Sequence, residues 1–210
     1  NPLMTPEGRK EIKAVSEQTG VKVLSICADY FMEAPMHSSD RSASDKSLKI
    51  LEELLDASVG LGIGNVVIPC VDQSSIRELA DKERFCTALN RVIPKAAQYK
   101  VNLSLETDLD PLDFSSLLNE LDSECITVNY DTGNSASLGF DTTQELESYG
   151  EKITDLHIKD RVLNGGTVVL GTGSWNYKSF FINLKKLNFK GPIILQAYRD
   201  DEGLQVFKKQ

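Results

Sequence analysis

The sequence lacks the features by which membrane proteins and nucleic-acid-binding proteins are usually recognised. Its 210 residues contain no apolar run close to the roughly 18–20 residues that a transmembrane helix requires. The 23 lysines and arginines are outnumbered by 31 aspartates and glutamates, and the net charge of −8 repels phosphodiester backbones and anionic membranes. The first seven residues lack the basic-then-apolar layout of a signal peptide. We therefore expect a cytoplasmic protein whose partners include neither a nucleic acid nor a membrane.

Cysteine is also scarce, and its spacing excludes two kinds of structural site. The four cysteines, at positions 27, 70, 86 and 125, include no C-x-x-C pair. Three of them lie in or beside apolar, β-like runs, where a free cysteine behaves as a small buried side chain. Disulfide bonds and a cysteine-based zinc site are therefore not expected, in keeping with a reducing compartment.

The chain alternates regularly between β-rich and helical segments. Strands are predicted at residues 21–28, 65–71, 101–106, 125–130, 156–159 and 192–197, and helices at about 5–18, 44–60, 74–99, after Pro111, 142–150 and 175–187. This alternation predicts parallel β/α units within one domain that spans residues 1–210. An open doubly wound sheet and a (β/α)8 barrel both fit, although no strand is followed by a glycine-rich phosphate loop.

The residues that end four successive strands favour the barrel. Glu106, His157 and Gln196 lie within, and Asp131 directly after, four successive predicted strands, which deliver them toward the same end of a parallel sheet. In a barrel these ends meet at one mouth. Oxygen ligands with a single imidazole suit Mn²⁺, Mg²⁺ or Co²⁺, and Zn²⁺ is also compatible. Because only six strands are predicted, we expect a (β/α)8 barrel that lacks its first two strands and is N-terminally incomplete.

Several motifs resemble the xylose-isomerase-like barrel family. They are SLE at 104–106, YDTGN at 130–134, HIKD at 157–160, and the stretch from LGTG at 170–173 to GPIIL at 191–195. That family comprises sugar and sugar-phosphate isomerases and epimerases, including D-tagatose 3-epimerase and L-ribulose-5-phosphate 3-epimerase types. The resemblance implies a small sugar or sugar phosphate as substrate and a homodimer or homotetramer. It also implies two strands before the segment matched by the N-terminus.

The resemblance further implies one divalent metal ion held by a Glu, an Asp, a His and a second Glu. Glu106, Asp131 and His157 match the first three positions, whereas Gln196 stands where the family carries a catalytic Glu. In such enzymes the metal stabilises an enediolate while a carboxylate moves the proton. Glu106 is accordingly the expected base. Because the amide of Gln196 can ligate a metal but cannot accept a proton, we expect isomerisation rather than epimerisation.

Four further residues are candidates for substrate binding. Asn134 matches a substrate-contacting position of the family, and Lys159 and Arg161 supply cations that a sugar phosphate requires. His37 lies on a strand-end loop, where it is either a substrate contact or a solvated side chain.

Three other functions remain open. The chain could be a sugar- or metal-binding barrel that lost catalysis with Gln196, or a lyase that dehydrates a cyclic polyol. A phosphodiesterase of the same fold is disfavoured, because its three zinc ions need many histidines and this sequence has two.

Overall fold

The structure, a computed structural model, describes residues 1–196 and divides into two compact units. The first unit comprises Asn1–Thr107 and Ser116–Thr127, and the second comprises Asp108–Ser115 and the chain from Val128 onwards. Within residues 1–196, six parallel strands in chain order alternate with helices, which confirms the expected (β/α) barrel class with six strands. The interpretation of residues 1–210 as a single domain stays a prediction. Within residues 1–196, no helix is both long and apolar enough to span a bilayer.

The first unit is built on three parallel strands. Its elements are α1 (Pro6–Thr19), β1 (Ser25–Cys27), α2 (Tyr30–Glu33), α3 (Arg41–Leu61), β2 (Asn65–Cys70), α4 (Leu79–Tyr99) and β3 (Asn102–Thr107). The helix α5 (Pro111–Leu121) follows β3 and belongs to this unit from Ser116 on. Val66 on β2 lies opposite Ile26 on one side and Leu103 on the other. Every residue of β2 is buried, as expected for a strand of a parallel sheet that is covered on both faces.

Capping residues fix the ends of the first helix. The Thr5 hydroxyl accepts a hydrogen bond from the Gly8 amide at 3.1 Å, and α1 ends at Gly20, whose φ of 72° is accessible to glycine at little cost.

The strand predicted at residues 21–28 is shorter in the structure, where only β1 (Ser25–Cys27) forms. The reason is that its neighbour β2 begins only at Asn65, opposite Ser25, so the preceding residues have no ladder partner on β2.

The second unit contains the remaining strands. Its elements are β4 (Ile126–Asp131, from Val128 on), α6 (Thr132–Leu138), α7 (Thr142–Tyr149), β5 (Ile153–Ile158), β6 (Asp160–Arg161), β7 (Thr167–Val168), α8 (Tyr177–Lys186) and β8 (Ile193–Leu195). Strands β4, β5 and β8 are parallel, and β6 and β7 form a short antiparallel hairpin. The register places Asp131 opposite His157, and His157 opposite Ile194. The helix α6 and this hairpin were not predicted, and the expected end of the last strand at residue 197 lies outside the described residues.

Candidate active site

Asp131 is held by the helix that follows it. It is the last residue of β4 and the N-cap of α6, and its Oδ1 accepts hydrogen bonds from the amides of Gly133 at 2.8 Å and Asn134 at 2.9 Å. An N-cap carboxylate satisfies amides that have no partner within the helix and lies at the positive end of the helix dipole. One oxygen of Asp131 is therefore committed to structure, and only Oδ2 is available for other ligands.

The second oxygen of Asp131 is buried beside a lysine. The Asp131 side chain is 1% exposed, and Lys159 Nζ lies 2.8 Å from Oδ2. Residues 1–196 provide no hydrogen-bond donor of good geometry to Oδ2, so this contact is an ion pair. The lysine backbone is fixed by Thr132, whose hydroxyl donates to the Lys159 carbonyl and accepts from the Lys159 amide at 2.9 Å.

His157 faces Asp131 across the parallel pair of strands. Its Nδ1 lies 4.0 Å from Asp131 Oδ2 and 3.1 Å from Asn129 Nδ2, and all three residues are buried. An amide nitrogen donates, so Asn129 Nδ2 faces the lone pair of Nδ1. This contact orients the imidazole ring of His157 beside Asp131.

Glu106 and Gln196 complete the set of strand-end residues. Glu106 is the penultimate residue of β3 and is buried. Glu106 in the first unit, and Asp131 and His157 in the second, are all buried, and each is of a residue type that holds metal ions. Gln196 follows β8, and its backbone amide donates to the Ile158 carbonyl at 2.9 Å. Its side-chain Oε1 is buried without a hydrogen-bond partner among residues 1–196.

This donor set fits a divalent cation. Two carboxylates, an imidazole and an amide oxygen match the ligands preferred by Mn²⁺, Mg²⁺ and Co²⁺, and Zn²⁺ also accepts them. Asp131 Oδ2 and Gln196 Oε1 are buried without a hydrogen-bond donor among residues 1–196, and the position beside Asp131 Oδ2 already holds a cation, the Lys159 ammonium.

Two of the expected substrate-binding residues contact each other. Arg161 donates from Nη1 to Asn134 Oδ1 at 3.1 Å and from Nε to the Gly165 carbonyl at 2.9 Å. Asn134 lies in the first turn of α6, which Asp131 caps. The first turn of α6 therefore connects Asn134 to Asp131, and Asn134 in turn holds Arg161.

His37 is not the solvated loop residue that the sequence allowed. The side chain is 5% exposed, and its ring packs edge-on against Phe85 at 5.8 Å between centroids. Burial lowers the pKa of His37, while the charge of Asp81 and a backbone hydrogen bond with Ser75 act in the opposite direction. Burial thus keeps the ring neutral in the core of the first unit, and its contact with substrate stays a prediction.

Sequence reasoning missed a buried carboxyl behind Asp131. Glu145 on α7 is 2% exposed, and it accepts hydrogen bonds from Tyr130 at 2.7 Å, Ser135 and Tyr149 at 3.0 Å. Burial raises the pKa of this carboxyl, whereas the three hydroxyl donors lower it. Tyr130 precedes Asp131 and Ser135 lies on α6, so Glu145 ties α7 to both elements that position the site. No local signal reveals this role, because an acid in a short helix resembles an ordinary surface residue.

A second missed carboxyl organises the loop before α8. Asp160 is fully buried and accepts hydrogen bonds from the amides of Gly171 at 3.1 Å, Gly173 at 2.8 Å and Trp175 at 3.2 Å. A side chain at Gly173 would collide with Asp160, which explains the glycine. The glycines of the LGTG motif therefore wrap a carboxylate of the protein itself.

Comparison with known proteins gives one family. Residues 1–210 match the model of the xylose isomerase-like TIM barrel. A putative L-ribulose-5-phosphate 3-epimerase, SgbU, of Haemophilus influenzae is 28% identical over 200 residues, which cover 87% of this chain and 68% of that protein.

Two solved structures show the same fold. A xylose isomerase domain protein from Planctomyces limnophilus superposes with a TM-score of 0.83 at 17% identity, covering 98% of this chain and 80% of that one. The IOLI protein, solved with a bound zinc atom, superposes with a TM-score of 0.72 at 16% identity, and the match covers 95% of this chain and 90% of the IOLI chain. At these identities the two structures establish the fold alone.

Proposed function

Because this chain belongs to the xylose isomerase-like TIM barrel family, we propose that it is a metal-dependent sugar or sugar-phosphate isomerase/epimerase. The observation that carries the proposal is the buried pair of Asp131 and His157, which lie opposite each other on adjacent parallel strands of the second unit. In the proposal Glu106 joins this pair from the end of the preceding strand, β3. The relative named as an L-ribulose-5-phosphate 3-epimerase supports an isomerase of sugar phosphates at the level of the family.

In this proposal Glu106, Asp131, His157 and Gln196 hold one divalent ion, Mn²⁺, Mg²⁺, Co²⁺ or Zn²⁺. When bound, the ion supplies Lewis-acid stabilisation of negative charge on the substrate oxygens. Asp131 contributes Oδ2, since Oδ1 is engaged by the amides of α6. His157 contributes a ring nitrogen, and the buried Oε1 of Gln196 is available as a neutral ligand.

Glu106 is the proposed base that removes a proton beside the substrate carbonyl and returns it. Its burial supports this role, since a carboxylate shielded from bulk water can return the same proton before the proton exchanges with solvent. Epimerisation needs a proton taken from one face and delivered to the other, and Gln196 cannot carry a proton as a base. We therefore propose aldose–ketose isomerisation, which one base on one face can perform.

Substrate contacts are proposed for Asn134, Lys159, Arg161 and, from the first unit, His37. Arg161 presents its guanidinium beside Asn134, where the pair can bind a hydroxyl or a phosphate oxygen. None of the four cysteines forms a disulfide bond, which suits a cytoplasmic enzyme, and the family resemblance supports a homodimer or homotetramer.

The test is turnover by the Mn²⁺-loaded protein on ketopentoses, ketohexoses and their phosphates in deuterated water. We expect aldose products, with deuterium on the carbon next to the carbonyl to the extent that the transferred proton exchanges with solvent. Glu106→Gln should reduce the rate about 10²–10⁴-fold, whereas Glu53→Gln, at an exposed position on α3, should leave it unchanged. A protein that binds Mn²⁺ and a sugar without any turnover would instead be the non-catalytic barrel.

A further inference from the structure

The ion pair of Asp131 and Lys159 places an ammonium group where a metal ion would bind. Asp131 has one oxygen, Oδ2, that is not used to cap α6, and Lys159 Nζ lies 2.8 Å from that oxygen. A cation at Oδ2 and the ammonium at its present position would be neighbours of like charge. The metal cation and the ammonium therefore cannot both bind strongly to the same buried oxygen.

The path of the lysine side chain shows that this placement is built into the fold. The aliphatic stem of Lys159 lies over Gly133, where any β-carbon would collide with its Cγ and Cε. The lysine backbone is held on both sides by the Thr132 hydroxyl. Asp131 is 1% exposed and the lysine side chain 17% exposed, so the ammonium neutralises a carboxylate that is almost fully buried.

We propose that Lys159 is an exchangeable counterion, which occupies Asp131 Oδ2 in the metal-free protein and is displaced when a divalent cation binds. The inference rests on the proposed metal site and adds a role for Lys159 within it. Two consequences follow. The metal-free fold is stabilised by a cation supplied by the chain, and the affinity for metal is lower than that of the same ligands without the lysine.

Metal binding by purified, chelator-stripped protein tests this exchange without relying on activity. Free Mn²⁺ is measured by electron paramagnetic resonance during titration of wild type, Lys159→Met and Lys159→Arg. Removing the charge while keeping the apolar stem should tighten Mn²⁺ binding about 10–100-fold, whereas Lys159→Arg should stay within a few-fold of wild type. Lys178→Met removes an exposed lysine on α8 and is the matched control, with unchanged affinity expected.

A second measurement uses the wild-type chain, so that it does not depend on how the variant folds. Acetic anhydride labelling followed by mass spectrometry should modify Lys159 slowly in the metal-free protein and several-fold faster with Mn²⁺, while Lys178 labels equally in both states. Equal or weaker Mn²⁺ binding by Lys159→Met, or labelling of Lys159 that does not rise with Mn²⁺, would overturn the exchange while leaving the metal site standing. Absence of Mn²⁺ binding by every folded variant would instead overturn the metal site proposed above, and the exchange with it.

Discussion

Loss of the Glu145 carboxyl is expected to destabilise the second unit strongly. Glu145→Ala leaves the hydroxyls of Tyr130, Ser135 and Tyr149 without their shared acceptor. A buried polar group without a partner costs about 1–3 kcal/mol. Since the three hydroxyls share the cavity, and Tyr130 can still reach Ser135 at 3.1 Å, we expect a loss of about 3–5 kcal/mol in the free energy of unfolding.

Glu145→Gln is the matched control, because it keeps the size of the side chain and one acceptor oxygen. Its amide group can donate to the Tyr149 hydroxyl, which rotates to accept. We expect a loss of about 1 kcal/mol for this variant at neutral pH. Urea denaturation followed by circular dichroism measures both variants against wild type.

The difference in stability between wild type and Glu145→Gln should depend on pH, and the raised pKa of Glu145 gives the sign. Burial, together with the charge of Asp141, raises the pKa of Glu145 above its ordinary value of 4.5. A group whose pKa is raised in the folded state stabilises the fold fully below its ordinary pKa, and this stabilisation is lost as pH rises through the folded value. Between pH 4 and pH 8 the wild type should therefore lose stability relative to Glu145→Gln as pH increases.

Two results would refute this reasoning. A cost below about 1 kcal/mol for Glu145→Ala would mean that the hydroxyls find other partners and that the carboxyl does not organise them. A difference between wild type and Glu145→Gln that stays constant with pH, or that changes in favour of wild type as pH rises, would contradict the raised pKa.

Two other substitutions give further tests. Gln196→Glu adds a carboxylate to the proposed ligands and a base for the second face of the substrate. It should therefore tighten Mn²⁺ binding, measured by calorimetry, and raise epimerase activity, measured in deuterated water, about 10²–10⁴-fold. Wild-type epimerisation that the substitution leaves unchanged would show that another residue supplies the second base. Asp160→Ala removes the acceptor of three amides in the loop 171–175. It should therefore lower the free energy of unfolding by about 3 kcal/mol, measured by thermal unfolding, and expose that loop to proteolysis before the rest of the chain. A variant as stable and as protease-resistant as wild type would contradict the anchoring role of Asp160.

The strands and the strand-end residues were predictable because parallel β/α units give a strong local pattern. The buried strand β2, for example, is mostly apolar and is followed along the chain by α4, which carries an apolar stripe. Once the strands were placed, Asp131 and His157 had to occupy the same end of adjacent parallel strands. The register, which places the two residues opposite each other, bears this out.

The partners of these residues could not be predicted, because they depend on contacts between distant segments or on small residues without periodicity. The segment after Asp131 reads TGNSAS, which lacks the apolar spacing of an amphipathic helix, yet it forms α6 because Asp131 caps it. Lys159 was expected to attract a phosphate, whereas its stem lies over Gly133 and its ammonium pairs with Asp131. Such a pairing follows from the packing of β5 against α6, which no local pattern encodes.

A crystal structure of the protein soaked in Mn²⁺, with the ion located by its anomalous scattering, tests the central claim most directly. The account predicts one ion bonded to Glu106, Asp131 Oδ2, His157 and Gln196 at about 2.0–2.3 Å, with Lys159 Nζ moved away from Asp131. An ion held by other residues, or no ion at these four side chains in saturating Mn²⁺, would contradict it.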